Sequence, residues 1–120
     1  MPTPIYQVKA EFFKTLGHAA RIRVLEVLRD GERAVNELVP EVGIEASHLS
    51  QQLGVLRRAG LVQARKEGTS VLYSVGDPMI FELLDVARRI LTSSLDETRA
   101  LLEELEAPEP VATTRTARKR

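Results

Sequence analysis

Apolar residues recur at intervals of three and four positions in the middle of the chain, between residues 45 and 60. This spacing gathers side chains onto one side of an α-helix. The residues that share it are Ala46, Leu49, Leu53 and Leu56. The pattern therefore predicts a helix whose apolar side is buried in a small core.

The opposite side of this helix carries an unusual set of polar residues. Ser47, Gln51 and Arg58 project away from the leucines at about 100° per residue, and His48 lies beside them. A solvated helix face normally carries Glu and Lys, whereas this one carries neutral hydrogen-bonding groups and the arginine pair Arg57 and Arg58. Such a face suits base edges in a DNA major groove, with the arginines contacting phosphate. The residues alone leave open a second interpretation, an ordinary surface helix of a small helical domain.

Two β-strands are predicted directly after this helix, over residues 61–66 and 70–75, because β-branched and aromatic residues are frequent there. A glycine-containing turn joins them, which is a hairpin signal. A polar-faced helix followed by a hairpin is typical of the winged helix-turn-helix, a mainly α fold with a small β-hairpin. The hairpin tip, with Arg65, Lys66 and Thr69, is expected to reach a phosphate or a minor groove. The alternative for the tip is an ordinary solvated turn.

Three shorter helices are predicted before the central one, over residues 5–16, 18–30 and 34–42. Pro40 removes a backbone donor from the last turn of the third helix, so this helix should be brief or bent. The first helix has an apolar stripe that serves either core packing or contact with a partner subunit, since both are built from the same residue types. The residues of this stripe include Ile5, Val8 and Phe12.

A long helix of roughly thirty residues is predicted after Asp77-Pro78, a capping acid followed by a proline at the first helical position. Its apolar positions alternate in steps of four and three, as in a seam that packs against a neighbouring helix. A helix this long cannot be covered by so small a domain, so part of the seam should meet a second copy. The residues expected at this contact are Leu84, Leu91, Leu95, Leu101 and Leu102. Ser94 and Thr98 interrupt the seam and either fix its register or mark a break between two helices.

The length of 120 residues allows one small domain, which is predicted over residues 1–106. Residues 107–120 contain proline and threonine and lack periodicity, so a disordered basic tail is expected there. The formal net charge is zero, but residues 45–75 carry four basic and two acidic side chains, while residues 76–112 carry three and nine. Because phosphate contacts depend on local charge, the neutral total does not argue against a nucleic-acid partner.

The composition argues against several other classes of protein. The chain has no cysteine, so disulfides, thiolate metal sites and sulfur redox switches are excluded. It has neither an apolar run of membrane-spanning length nor a signal peptide, so a cytoplasmic protein without a membrane partner is expected. No glycine-rich phosphate loop or paired-carboxylate motif occurs, and neither His18 nor His48 lies near an evident nucleophile. We therefore expect no enzymatic activity, no cofactor and no metal.

A series of sequence motifs covers more than half of the chain, from Phe12 to Val75. They are FKTLGHAARIRVL at 13–25, SHLSQQL at 47–53, LRRAGLV at 56–62, RKEG at 65–68 and YSV at 73–75. In order and spacing they resemble the ArsR/SmtB family of bacterial winged-helix transcriptional repressors. The resemblance implies about five helices plus a wing, a homodimer joined by its first and last helices, and a roughly palindromic double-stranded DNA operator.

The resemblance also assigns roles to individual positions. The residues matching the family's DNA contacts are Ser47, His48, Ser50, Gln51 and Gln52. Gln52 stands where relatives often have His, and Ala19 stands where a proline is common. Larger departures concern the sensor sites, because Val39-Pro40-Glu41 occupies the place of a Cys-x-Cys metal site and no histidine accompanies Asp85.

The usual metal-responsive switches of the family are therefore expected to be absent. The sequence predicts a dimeric repressor of unknown effector, with a small molecule among the candidates. A winged-helix module that binds another protein, without specific DNA binding, is the alternative.

Overall fold

The computed structural model describes residues 2–106, so the predicted tail over 107–120 lies outside the described residues. This part of the chain contains five α-helices and a three-stranded antiparallel sheet. The helices are α1 (Ile5–Leu16), α2 (Ala19–Val27), α3 (Val35–Val42), α4 (Ala46–Arg58) and α5 (Met79–Glu106). The strands are β1 (Arg33–Ala34), β2 (Val62–Glu67) and β3 (Ser70–Val75). The predicted mainly α fold with a winged hairpin is confirmed.

Backbone contacts divide the described chain into two compact units. The first ends at Leu84 and contains α1 to α4, the sheet and the start of α5. The second begins at Asp85 and contains the rest of α5. The assignment of residues 1–106 to a single domain stays a prediction.

The core of the first unit includes side chains of α2, α3 and α4. Its fully buried side chains are Val24, Leu25, Leu38, Leu49, Leu53 and Leu56. Of the four residues predicted on the buried side of α4, the three leucines are buried and Ala46 is exposed. The prediction for Ala46 is wrong because α4 begins at this residue, which places it at the end of the helix rather than over the core.

α2 is shorter than the sequence predicts. His18 is its N-cap residue, and the His18 Nδ1 accepts a hydrogen bond from the backbone N–H of Ala20 at 3.3 Å. At the other end, residues Leu28–Asp30 tighten into a 3-10 turn before Gly31, whose φ is 129°. A 3-10 turn at a helix end satisfies backbone carbonyls that the α-helical pattern leaves without partners.

The turn between α3 and α4 completes the helix-turn-helix. Gly43 ends α3 with a φ of 83°, and its N–H donates to the carbonyl of Val39 at 2.8 Å. This left-handed conformation is a common helix stop and costs glycine little. Pro40 lies inside α3, which has only eight residues, so the expected short helix is confirmed.

The sheet has the strand order β1-β3-β2. β2 and β3 form the predicted hairpin, hereafter the wing, and Glu67 pairs with Ser70 across a two-residue connection. Gly68 in that connection has a φ of 64°, and positive φ is what tight hairpin connections require. β1, which pairs with β3, is missing from the sequence prediction because two residues are too few for an alternating pattern to show.

α5 runs for 28 residues as one helix, so the alternative of a break near Ser94 and Thr98 is wrong. Its predicted start is confirmed, because the Asp77 carboxylate accepts a hydrogen bond from the N–H of Met79 at 2.9 Å. Despite this length, neither α5 nor any other helix within residues 2–106 is apolar enough to cross a membrane.

Candidate nucleic-acid interface

α4 separates its apolar and polar residues onto different sides. Leu49, Leu53 and Leu56 are fully buried. The exposed polar residues, hereafter the polar face of α4, are Ser47, His48, Ser50, Gln51, Arg57 and Arg58. Their predicted exposure is confirmed, and their contact with DNA stays a prediction.

Gln52 does not belong to this face. Its side chain is only 6% exposed, and its Oε1 accepts a hydrogen bond of 2.7 Å from the Nε of Arg21 on α2. The assignment of Gln52 to DNA contact is therefore wrong. The physical reason is helical geometry, because Gln52 lies three residues after Leu49 and four before Leu56 and so shares their buried side.

Arg21 on α2 is half-buried, and besides Gln52 its Nη1 donates to the carbonyl of Thr15 at 3.2 Å. Arg21 and Gln52 are 31 positions apart, so no local pattern signals their contact.

Arg58 folds back along α4 toward Gly54, one turn earlier. A Cβ atom added at Gly54 would lie 3.3 Å from the Arg58 Nη1. Glycine inside a helix costs about 1 kcal/mol relative to alanine. A glycine at this position of the sequence therefore indicates that the space beside it is needed by another group. The absent side chain leaves room for the guanidinium against the helix surface.

His48 lies beside the first turn of α2. Its ring centroid is 6.4 Å from that of His18, with the two rings nearly perpendicular. His48 is nevertheless exposed, so the contact leaves part of its imidazole accessible to a ligand. Within the described residues, no group of three or more His, Cys, Asp or Glu side chains could hold a metal ion.

The wing carries a network of ion pairs that no local pattern in the sequence predicts. Arg65 on β2 donates from Nε and Nη2 to the two carboxylate oxygens of Glu32, each at 2.7 Å. Its Nη2 also lies 2.8 Å from the Glu67 carboxylate. Hydrogen bonding from Arg65 holds the pKa of Glu32 below its usual value, and the reciprocal bond raises the pKa of Arg65.

Arg65 is therefore paired with carboxylates, and its predicted contact with DNA stays a prediction. Two carboxylates already neutralise it, and Glu32, which precedes β1, is 33 positions away in sequence. Lys66 and Thr69 are exposed, and their contact with phosphate stays a prediction.

Both units contain exposed apolar side chains. In the first unit Ile5 is 66% exposed and Val8 is 49% exposed, while Phe12 and Leu84 are half-buried against the core. Core packing is thus at least part of the role of Phe12 and Leu84, for which a subunit contact was predicted. In the second unit the residues that are more than half exposed include Ile90, Leu91, Leu95, Leu101, Leu102 and Leu105.

Comparison with known proteins connects this geometry to a family. Residues 18–64, which span α2 to the first half of β2, match the family described as "Bacterial regulatory protein, arsR family". Rv0081 of Mycobacterium tuberculosis, described as an uncharacterized HTH-type transcriptional regulator, is 56% identical over 105 residues, which cover 87% of this chain and 92% of that protein. The chain belongs to the arsR family of bacterial regulatory proteins.

Solved structures agree with this family assignment. The crystal structure of Rv0081 superposes with a TM-score of 0.74 at 55% identity, covering 81% of this chain and 98% of that one. A homodimeric winged helix-turn-helix DNA-binding domain from Mycobacterium bovis gives a TM-score of 0.69 at 28% identity, covering 78% and 86%. The transcriptional repressor BigR from Xylella fastidiosa gives 0.66 at 34% identity, covering 71% and 87%. This arsR-family protein is accordingly a transcriptional regulator with a winged helix-turn-helix, and not an enzyme.

Proposed function

We propose that this arsR-family regulator represses transcription by binding a palindromic DNA operator as a homodimer. The observation that carries the proposal is the polar face of α4, which is exposed on a helix whose opposite side is fully buried. In a helix-turn-helix the second helix lies in the major groove and contacts base edges. α4 is the second helix of this motif in the chain.

The residues of the polar face of α4 fall into two chemical groups, one neutral and one positively charged. Ser47, His48, Ser50 and Gln51 carry hydroxyl, imidazole and amide groups, which can donate to and accept from bases. Arg57 and Arg58 lie in the last turn of α4 and supply positive charge for phosphate. Lys66 and Thr69 on the wing add phosphate or minor-groove contacts. Arg65 can contact a phosphate only if the phosphate replaces the carboxylate of Glu32 as its partner.

Dimerisation would bring two such helices to one operator. The related domain from Mycobacterium bovis is described as homodimeric. Exposed apolar residues on α1 and on the second half of α5 provide surface of the kind that subunit contacts bury. The two half-sites would then lie about one helical turn apart, at roughly 34–36 Å between centres.

Relief of repression does not involve a thiolate in this proposal, because the chain has no cysteine. The effector is not specified by the proposal, and a small molecule is one candidate. Because the regulator would bind DNA, we infer that it acts in the cytoplasm.

The proposal is tested by comparing Gln51→Ala and Arg58→Ala in DNA-binding titrations. The specific probe is a duplex selected from a random pool with the wild-type protein, and the non-specific probe is its scrambled counterpart. Gln51→Ala should weaken specific binding about tenfold and leave non-specific binding nearly unchanged, because it removes a base contact. Arg58→Ala should weaken binding to both probes and lower the salt slope by about one, because it removes a phosphate contact.

Gln7→Ala and Arg89→Ala are the matched controls, since they remove the same side chains from exposed positions on α1 and α5. Both should bind like the wild type. If selection yields no preferred sequence, or if Gln51→Ala and Arg58→Ala both bind like these controls, the proposed function is wrong.

A further inference from the structure

Arg21 joins three helices through one guanidinium group. It belongs to α2, its Nη1 donates to the Thr15 carbonyl in the last turn of α1, and its Nε donates to Gln52 on α4. The Thr15 carbonyl is among the last four of α1, which an α-helix leaves without an internal partner. A cation at this end of a helix is also favoured by the helix dipole.

The Gln52 side of this link lies in the interior. The Gln52 side chain is 6% exposed and sits among the fully buried Leu49, Leu53 and Leu56 on the same side of α4. A buried amide that loses its partner pays its full desolvation cost, so the bond to Arg21 holds Gln52 strongly. Arginine suits the task because its rigid planar fork can serve two acceptors at once, whereas lysine offers a single point charge.

We propose that Arg21 is a positioning residue for DNA recognition, which acts through Gln52 to fix the rotation of α4 about its own axis. The inference rests on the proposed function, because it concerns how the polar face of α4 meets the operator. Gln51 and Gln52 are adjacent in sequence, so holding Gln52 inward also sets the direction in which Gln51 points outward.

Small rotations of α4 are sufficient to matter. Side chains reach about 5–6 Å from the axis of an α-helix, so a rotation of about 20° moves their tips by about 2 Å. Hydrogen bonds to bases tolerate only a few tenths of an ångström in length. Phosphate contacts by long, flexible arginines tolerate such a shift far better, so a loosened α4 loses sequence discrimination before it loses DNA affinity.

The link also has a mechanical consequence for the first unit. Its two acceptors lie at the end of α1 and in the middle of α4, so α1 and α4 are held in one arrangement through a single side chain. A subunit contact that engages α1 would therefore set the direction of the polar face as well.

The test measures the ratio of specific to non-specific DNA affinity for Arg21→Met, which keeps the aliphatic stem and removes both hydrogen bonds. The expected result is an affinity for the selected operator about tenfold lower, with affinity for scrambled DNA and the salt slope unchanged. A purely structural role would lower the active fraction and weaken both affinities alike, leaving the ratio constant. Direct contact of Arg21 with phosphate would lower both affinities together with the salt slope.

Arg23→Met is the matched control, because Arg23 lies two residues along α2 and pairs with the exposed Glu26 and Glu41. It should leave the ratio unchanged. Gln52→Glu keeps an oxygen acceptor for Arg21 and should preserve the ratio within about twofold, whereas Gln52→Leu should lower it like Arg21→Met. If Arg21→Met loses its cooperative thermal unfolding, the two Gln52 variants decide the question alone.

Equal ratios for Arg21→Met and Arg23→Met, or for Gln52→Leu and Gln52→Glu, would overturn the inference. Failure of the proposed function is recognised separately, because the wild-type protein would then not distinguish its selected operator from scrambled DNA.

Discussion

Two acidic residues limit the positive charge that the wing can offer to DNA. Arg65 makes two hydrogen bonds to Glu32 at 2.7 Å and an ion pair to Glu67 at 2.8 Å. A phosphate that approaches Arg65 must compete with both carboxylates and is repelled by them. We therefore expect Glu32 to lower non-specific affinity, although it holds the side chain of Arg65 in one position.

Glu32→Gln is expected to raise affinity for non-specific DNA by about threefold and to steepen its salt dependence, because one competing charge is removed. Binding is measured by fluorescence anisotropy at several salt concentrations. Glu26→Gln is the control, since it removes a carboxylate that pairs with Arg23 on α2 instead. A fall in affinity for Glu32→Gln would instead mean that Glu32 serves mainly to position Arg65.

For single residues, the sequence predicts which side chains are exposed better than it predicts which side chains form hydrogen bonds with each other. Helical spacing correctly separates the buried leucines of α4 from Ser47 and Gln51. It also accounts for the burial of Gln52, which the resemblance had assigned to DNA contact, but it does not identify the neighbour that Gln52 contacts there. That neighbour, Arg21, is 31 residues away, and Glu32 is 33 residues from Arg65, so neither contact leaves a local pattern.

The second half of α5 exposes several large apolar side chains. Leu91 and Leu95, one turn apart, are 64% and 65% exposed in the second unit. Fully burying a leucine contributes about 2 kcal/mol, so covering these side chains in a dimer would stabilise it considerably. We therefore assign these two leucines to the proposed subunit contact.

The double variant Leu91→Asp with Leu95→Asp is expected to be monomeric. Two charges per subunit would have to be buried in the contact, and that cost exceeds what the remaining apolar residues offset. Sedimentation equilibrium should show one copy per particle for the variant and two for the wild type. Ser93→Asp, an exposed position on the other side of α5, is the control and should remain a dimer. A dimeric double variant would remove these leucines from the contact.

Elements with sustained periodicity could be predicted from the sequence, and short elements could not. α4 and α5 keep their apolar spacing over several turns, and the wing has a glycine-containing turn between two strands. β1 has only two residues and exists through its pairing with β3, while the end of α2 depends on the 3-10 turn before Gly31. Those features are set by contacts between segments rather than by local propensity.

For the whole molecule, the proposed function requires two α4 helices with a fixed spacing. The first unit supplies the polar face, the wing and the α1 surface, and the second unit supplies the exposed leucines of α5. Neither unit by itself accounts for recognition of a two-fold operator. The proposed repression mechanism therefore depends on how many protein subunits bind one operator and on the distance between the two half-sites of that operator.

The most direct measurement is the affinity of the wild-type protein for its selected operator when base pairs are inserted between the half-sites. An insertion of about 5 bp turns one half-site to the opposite face of DNA, whereas about 10 bp restores the face. We predict two copies per intact operator and an affinity reduced by at least about tenfold with the 5 bp insertion. One copy per operator, or unchanged affinity with that insertion, would contradict this prediction.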